Sequence, residues 1–136
     1  MKFKFLFFGL LILSNVVWAT DCPVKYDEEG YVDKVATAIH ATSSCIQASE
    51  LAEACSLGAS GDLFIAVAAE RKCGLDFWNK LSNKDKEIYN QLQAKCNKKY
   101  ENKDGSMYIS FKAFCRLEVA KLYSDLYTPD RSDQGL

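Results

Sequence analysis

A short run of oxygen-bearing residues near the end of the chain, ENKDGSMYIS, has some of the features of a calcium-binding loop. Asn102 and Asp104 precede Gly105 at the spacing at which an EF-hand places two oxygen ligands before its invariant glycine. In that register, Tyr100 stands at position one and Phe111 at position twelve, where a working loop needs an acid and a bidentate glutamate. We therefore predict no metal here and interpret the run as a turn between two helices.

Chemistry based on histidine or cysteine finds little support. His40 is the only histidine, whereas serine and cysteine hydrolases need an imidazole base and zinc sites need several nitrogen or sulfur ligands. The six cysteines are separated by 22, 9, 17, 22 and 18 residues, so they lack the close pairs of a zinc knuckle. We predict no metal and no cofactor, and interpret His40 as a satisfied or solvent-facing residue at a helix end.

Two groups of carboxylates offer a possible glycosidase chemistry, which uses a facing pair of acids. They are the segment YDEEG at residues 26–30 and the pair Glu50/Glu53. Both groups also fit helix starts and solvated helix faces, which is the interpretation that we prefer. We therefore predict no catalytic residue and a protein that is not an enzyme, and we keep a carboxylate-dependent hydrolase of cell-wall sugars as an alternative.

A cluster of basic residues falls at the predicted end of the fourth helix. Positive side chains there complement the negative end of the helix dipole, and an anionic partner is the minor alternative. The tyrosines and Trp78 combine an apolar body with a polar tip and are candidates for the rim of a groove, but the binding residues stay unassigned. The basic cluster consists of Lys95, Lys98, Lys99 and Lys103.

The elements that must position these residues are helices. The chain has no alternating runs of strand length, and its two prolines, Pro23 and Pro129, lie outside the long stretch from 31 to 127 in which the predicted helices fall. We predict an all-α domain of about five helices, packed as a compact bundle of antiparallel hairpins. The predicted helices span 31–41, 44–58, 62–81, 82–100 and 110–127.

Capping and spacing signals define the ends and faces of these helices. The third helix is apolar almost all round at its start, so we expect it to be the most buried. The predicted capping residues are Ser44 with Gln47, Ser60 or Asp62, Ser82 with Asp85, and Ser106 or Ser110. The predicted apolar stripes are Ile88, Leu92 and Cys96 on the fourth helix, and Phe111, Phe114, Cys115, Val119, Leu122 and Leu126 on the fifth.

Six cysteines in a small exported chain are typical of three disulfides. They allow fifteen pairings, which the geometry of antiparallel hairpins ranks, because residues equidistant from a turn face each other. Cys96 lies nine residues before Gly105 and Cys115 ten after it. Cys45 lies 14.5 residues before the midpoint of the turn GASG and Cys73 13.5 after it.

This symmetry favours Cys45–Cys73 and Cys96–Cys115, and leaves Cys22–Cys55 to hold the N-terminal segment. Each pair closes a loop of roughly 20–35 residues, which stabilises the fold by about 3 kcal/mol in the chain-entropy model.

The first 19 residues, MKFKFLFFGLLILSNVVWA, are typical of a secretory signal peptide. Lys2 and Lys4 precede an apolar stretch, and a small-x-small pattern ends at Ala19, after which we predict cleavage. The apolar stretch is shorter than the roughly 20 residues that span a bilayer, so we predict no membrane anchor. The protein is then periplasmic or secreted.

Cleavage leaves 117 of the 136 residues, which we assign to a single domain (20–128) and a flexible C-terminal tail (129–136). The whole chain carries 17 basic and 18 acidic side chains; without Lys2 and Lys4 the counts are 15 and 18, a formal charge of −3. That balance does not favour nucleic acid or an anionic membrane as a partner.

Three features resemble the LprI-type family of exported helical proteins, over about residues 45–125. They are the segment CIQASELAEAC (45–55), the pair Tyr89 and Leu92 in YNQL, and a final helix that carries Cys115. The spacing within the first segment is shorter than in that family, and no tryptophan precedes the last cysteine. Members of the family are associated with lysozyme inhibition, so the resemblance implies a helical fold and an inhibitory activity.

The leading hypothesis is an exported binding protein, an inhibitor or immunity-type protein directed at another envelope or extracellular protein such as a lysozyme. The main alternative is a carrier of a small ligand or lipid. A closed apolar cavity would favour the carrier, a cleft with paired carboxylates the hydrolase, and a solid core with an exposed patch the protein binder. The oligomeric state stays open.

Overall fold

The computed structural model describes residues 21–27 and 29–128, so the predicted signal peptide and the predicted tail at 129–136 lie outside the described residues. Within these ranges the chain forms five α-helices, one short 3-10 helix and no β-strand, which confirms the predicted all-α class. The helices are α1 (Tyr31–Ala41), α2 (Cys45–Ala54), α3 (Asp62–Phe77), α4 (Asn83–Lys99) and α5 (Ser106–Tyr127), and the 3-10 helix is Trp78–Lys80.

Helix α3 lies at the centre of the bundle, as its apolar start predicts. It packs against α1, α2 and α5, whereas α4 packs mainly against α5. Ala66, Ala68 and Ala69 are buried in the middle of α3, where small side chains allow neighbouring helices to approach closely. Ile65 and Phe77 fill the remaining space and are among the largest fully buried side chains.

The six cysteines pair as hairpin symmetry predicts. The first disulfide holds the N-terminal segment against the end of α2, the second joins α2 to α3, and the third joins α4 to α5. Tyr31 supports the first bond, because its hydroxyl donates to the carbonyl oxygen of Cys55 at 2.9 Å. The pairs are Cys22–Cys55, Cys45–Cys73 and Cys96–Cys115, with Cα–Cα distances of 4.8, 4.4 and 5.7 Å.

Two hydrogen bonds between a serine and a carboxylate set the register of α3 against α5. The hydroxyl of Ser110 donates to Asp62 at 2.6 Å, and that of Ser124 donates to Asp76 at 2.6 Å. Each pair is separated by 48 residues in sequence, so the two helices run parallel and in constant register. Helix α4 connects them and runs antiparallel to α5.

The carboxylate of Asp62 is completely buried and accepts four hydrogen bonds. Besides Ser110, its donors are the backbone amides of Leu57, Gly58 and Ala59 at 2.7, 2.9 and 3.4 Å. The prediction that Ser60 or Asp62 caps α3 is therefore wrong. Asp62 binds the preceding turn instead, while the capping position is taken by Gly61 without a side-chain hydrogen bond.

The predicted start of α5 also needs correction. The helix begins at Ser106, four residues before the predicted start, and its capping position is Gly105, whose φ of 112° suits a residue without Cβ. No side chain caps this end, and Ser110 lies inside the helix. The capping hydroxyls of Ser44 and Ser82 are where the sequence predicts them, and each accepts a backbone amide three residues ahead.

A second polar network joins α3, α4 and α5 around Gln93. Arg116 donates through Nε to Gln93 at 3.0 Å and through Nη2 to Glu70 at 3.1 Å. Gln93 in turn donates to the hydroxyl of Tyr89 at 2.7 Å. Burial, followed by the nearby charge of Glu70, raises the pKa of Tyr89 to about 12.

We predict that Asp62→Asn lowers the free energy of unfolding by about 3 kcal/mol. The asparagine side chain has a single acceptor oxygen, and its NH2 group would face backbone N–H groups that are themselves donors. Ser110→Ala removes one donor and is expected to cost about 1–2 kcal/mol. Urea unfolding followed by circular dichroism measures both values. A variant Asp62→Asn as stable as the wild type would contradict the role of this carboxylate.

We also predict that stability falls as the pH rises from 10 toward 12. The folded state holds the Tyr89 proton more tightly than the unfolded chain, so its stabilising effect is complete below pH 10 and is lost through the folded pKa of about 12. Two pKa units correspond to roughly 2–3 kcal/mol. Urea midpoints at pH 9 and pH 11.5 test this, and Tyr89→Phe should show a smaller decrease than the wild type.

Candidate functional site

Helix α5 presents three different sides. Its inner side packs on α3 and consists of small or medium residues such as Ala113, Leu117 and Ala120. A second side meets α4 through Cys115 and Tyr123. The third side is exposed and carries the apolar residues Phe111, Leu122 and Leu126 together with Glu118 and Asp125.

This exposed side corrects the predicted stripe of the fifth helix. Phe111, Leu122 and Leu126 expose 44%, 53% and 64% of their surface, although the spacing predicts them on a core-facing stripe. The reason is steric, because the close contact between α3 and α5 leaves room for alanine and serine but not for phenylalanine. The bulky residues therefore form a surface of the molecule.

The C-terminal end of α4 lies beside this surface, and together they form a groove. Its floor is made by Phe111, Phe114, Val119 and Leu122, next to Cys115 of the third disulfide. Lys99 and Tyr100 form one wall, and Glu118 lies along the groove on α5 itself. We call this the α5 groove; its volume is about 650 Å³ and it is open to solvent.

Aromatic contacts fix the wall of the α5 groove. Tyr100 lies 6.1 Å from Phe111 and 6.4 Å from Tyr108 between ring centroids, and Tyr108 lies 6.0 Å from Phe111. The ammonium group of Lys99 lies 5.2 Å from the centroid of the Tyr100 ring. The Cys96–Cys115 bond lies close by along the two helices, so the wall is held in place covalently as well as by packing.

Three carboxylates interact where α2 approaches α5: Glu50 and Glu53 of α2, and Glu118 of α5, which also lines the α5 groove. Glu53 and Glu118 lie within hydrogen-bonding reach of each other. Burial raises the pKa of Glu53 above its ordinary value; Lys121 opposes this shift, and the charges of Glu118 and Glu50 add to it. The charges around Glu53 are therefore mixed, with Lys121 acting on it more strongly than either neighbouring glutamate.

Of the predicted carboxylate candidates, Glu53 is brought to Glu118 by the fold, and this pair differs in spacing from that of a glycosidase. Such enzymes hold two acids roughly 5–9.5 Å apart so that sugar and water fit between them, whereas Glu53 and Glu118 are within direct reach of each other. In the segment 26–30, Asp27 forms an exposed ion pair with Lys34, and Glu28 lies outside the described residues.

The other candidates from the sequence lie apart on the surface. Asn102 and Asp104 are exposed in the turn between α4 and α5, and His40 is exposed near the end of α1. Over residues 21–27 and 29–128, no group of three or more His, Cys, Asp or Glu residues is placed to hold a metal ion. Of the basic cluster, Lys99 contributes to the α5 groove.

A second depression lies at the start of α3, on another side of the molecule. Val32, Leu63, Phe64 and Ile109 line it, and its volume is about 420 Å³. Phe64 exposes 65% of its surface, although it falls in the segment predicted to be the most buried. Asp33 is the charged residue of this depression, whereas Lys99 and Glu118 are those of the α5 groove.

Comparison with protein-family models, with curated proteins and with solved structures finds no match to this chain. The resemblance to LprI-type proteins therefore stays a prediction. Among the described residues, none of the helices combines the length and the apolar character that crossing a membrane requires.

The shifted carboxyl of Glu53 leads to a prediction with a defined sign. Because its pKa is raised in the folded state, Glu53 favours folding at pH values below its unfolded pKa near 4.5. This contribution is lost as the pH rises through the folded pKa. Glu53→Gln should therefore be more stable than the wild type at pH 7 but not at pH 3.5.

Thermal unfolding of both proteins at the two pH values measures this difference. Glu50→Gln is the matched control on the same helix and should show a smaller gain, since the effect of Glu50 on Glu53 is the weaker one. A gain from Glu53→Gln that is equal at both pH values would show that the carboxylate charge is not its cause.

Proposed function

We propose that this chain is an exported, non-enzymatic binding protein that docks another envelope or extracellular protein in the α5 groove. The observation that carries the proposal is the uncovered apolar side of α5. Apolar surface gathered in one groove, rather than scattered singly, is typical of an interaction site. Tyrosine and phenylalanine side chains such as Tyr100 and Phe111 are also enriched at the centres of interfaces.

The rigidity of the scaffold supports this proposal. The Cys96–Cys115 bond joins the two helices that form the groove, and the aromatic wall is packed before any partner arrives. A preformed site loses less conformational entropy on binding, so more of the contact free energy appears as affinity. Three disulfides are also typical of proteins that fold outside the cytoplasm, in accord with a periplasmic or secreted protein.

The carrier alternative has less support. A carrier encloses its ligand in an apolar cavity, whereas the α5 groove and the depression at the start of α3 are open to solvent. The interior of the described residues is filled by packed side chains, with Ile39, Phe77 and Leu117 fully buried. The hydrolase alternative needs a facing pair of acids with space between them, which Glu53 and Glu118 do not provide.

Within the class of protein binders, an inhibitor or immunity-type activity is the specific form that we propose. The resemblance to LprI-type proteins suggests a lysozyme as the first test partner. Binding and inhibition are separate properties, so a lysozyme assay with cell walls as substrate should accompany any measurement of affinity.

The test is affinity capture from periplasmic extract, with purified lysozyme added in a parallel sample. We expect the wild type to retain a protein that Leu122→Asp no longer retains, with affinity reduced at least tenfold. Leu122 is already 53% exposed, so the substitution should change the stability of the fold by less than about 0.5 kcal/mol.

The matched control is Leu75→Asp, the same substitution on the outer side of α3, where Leu75 is 78% exposed. It should retain the same protein as the wild type. Recovery of a co-purified lipid without any protein partner would overturn the proposal and favour the carrier. Equal loss of the partner in both variants would show that the α5 groove is not the docking site.

A further inference from the structure

The end of the molecule that carries the turn between α4 and α5 is positively charged. Residues 95–112 contain five lysines, no arginine and two acids, Glu101 and Asp104, which gives a formal charge of +3. The whole chain has a formal charge of −1, so the other residues together carry −4. The small net charge of the chain therefore conceals a local positive charge, which attracts anionic partners that the overall balance does not favour.

The fold brings lysines of both helices together at this end. We call the lysine surface the basic cluster (Lys95, Lys98, Lys99 and Lys103) together with Lys112 of α5. Lys98 and Lys112 line one depression from the two helices; its volume is about 610 Å³ and it is open to solvent. The other residues of this depression are Ala94, Asn97 and Glu101.

The lysine surface is continuous across the end of α4. Lys95 lies three residues before Lys98 and four before Lys99, so the three side chains occupy one face of the helix. Lys99 borders the α5 groove, and Lys98 borders the depression that it shares with Lys112. The basic cluster is exposed and Lys112 is half-buried. The ammonium groups are thus presented together at one end of the molecule.

Contacts within the protein leave these ammonium groups without a carboxylate partner. Over residues 21–27 and 29–128 the ion pairs are Lys34–Asp27 and Arg116–Glu70, so none of the five lysines belongs to one. The dipole of α4 accounts for Lys98 and Lys99 in its last turn. It does not account for Lys112, which lies in the second turn of α5, near the positive end of that helix.

The residue type indicates what kind of anion this surface meets. Arginine offers a rigid fork of donors that recognises one carboxylate in a fixed geometry, and residues 95–112 contain no arginine. Lysine is a point charge on a flexible stem. Five such charges suit an array of phosphate groups whose positions are not fixed, as at the surface of a lipid bilayer. The side-chain amide of Asn97 adds a further donor in the depression.

Apolar side chains lie at the same end. Met107 and Phe111, one turn apart at the start of α5, expose 47% and 44% of their surface. The rings of Tyr100 and Tyr108 lie 6.1 and 6.0 Å from that of Phe111 and hold it in place. Lysines beside exposed apolar and aromatic side chains are typical of surfaces that lie at the boundary between lipid headgroups and acyl chains.

We propose that this end of the molecule binds the surface of a membrane that contains anionic phospholipid. The lysine surface meets the phosphate groups, and Met107 and Phe111 contact the headgroup boundary. Each lysine that reaches the headgroups contributes roughly a fivefold increase in partition, so binding is peripheral and reversible. This inference goes beyond the proposed function, because it concerns a different side of α4 and a different class of ligand.

The test measures co-sedimentation of the purified protein with two kinds of vesicle. One is phosphatidylcholine alone, and the other is an equimolar mixture of phosphatidylcholine and phosphatidylglycerol. We expect binding to the mixed vesicles and none to phosphatidylcholine. Binding should weaken as sodium chloride is added, because salt screens the attraction between the lysines and the phosphates.

Two double variants locate the site. Lys98→Gln with Lys112→Gln should lower partition to the mixed vesicles roughly twentyfold, at about fivefold for each lysine. The matched control is Lys84→Gln with Lys86→Gln, which removes the same charge from the start of α4. It should lower partition by less than about twofold, since the two ends of the helix are separated by more than a Debye length. Circular dichroism of both variants checks that they are folded.

Two competitors identify the source of the anion. Neither inorganic phosphate, at the concentration of the lipid phosphate, nor a polyglutamate peptide should displace the protein from the mixed vesicles. Displacement by phosphate would assign the depression to a free anion, and displacement by polyglutamate would assign the lysine surface to an acidic protein. Either result would overturn the lipid proposal. So would equal binding to the two kinds of vesicle, binding to neither, or an equal loss in the two double variants.

The outcome is separable from that of the docking experiment. Leu122 lies 17 residues beyond Gly105 on α5, about 25 Å from this end of the molecule. Leu122→Asp should therefore lose the captured protein and still bind the mixed vesicles, whereas Lys98→Gln with Lys112→Gln should retain the captured protein. Failure of the vesicle experiment alone would remove the lipid site and leave docking in the α5 groove intact.

Discussion

The buried carboxylate of Asp62 is the interaction on which the arrangement of the helices depends. It binds three backbone amides of the turn before α3 and the hydroxyl of Ser110 on α5, so a single side chain joins three segments of the chain. A buried charge without such donors would be strongly unfavourable, which makes this geometry specific to one packing of α3 against α5. The same register places Ser124 beside Asp76 at the other end of the pair.

The register of α3 and α5 in turn determines the character of the surface. Close parallel packing requires small residues along the inner side of α5, and Ala113 and Ala120 meet that requirement. The larger apolar residues of the same helix lie outside the contact and line the α5 groove. Core packing and the candidate binding surface are therefore two results of one steric constraint, and a substitution that enlarges Ala113 would disturb both.

Helix bounds and disulfide pairing were largely accessible from the sequence, because capping residues and hairpin symmetry are local properties. The helix 31–41 and the serine caps at Ser44 and Ser82 needed no tertiary information. Which side of α5 is buried could not be predicted without tertiary information. The sequence of this helix carries one stripe of small residues and one of bulky apolar residues, and periodicity alone favours burial of the bulky stripe. The role of Asp62 depends on Ser110, which is distant in sequence, and the proximity of Glu53 to Glu118 depends on the packing of α2 near α5. Neither contact can be recognised from the residues that are close to it in the sequence.

The three disulfides hold different parts of the fold in place. Cys22–Cys55 and Cys45–Cys73 hold the N-terminal segment, α2 and α3, which contain most of the core, whereas Cys96–Cys115 holds α4, whose main contact is with α5. Since Lys99 and Tyr100 at the end of α4 line the α5 groove, loss of this one bond would loosen that groove while leaving the central packing largely in place. Reduction of Cys96–Cys115 alone would therefore give a compact molecule in which the wall of the α5 groove has lost its covalent link to the floor.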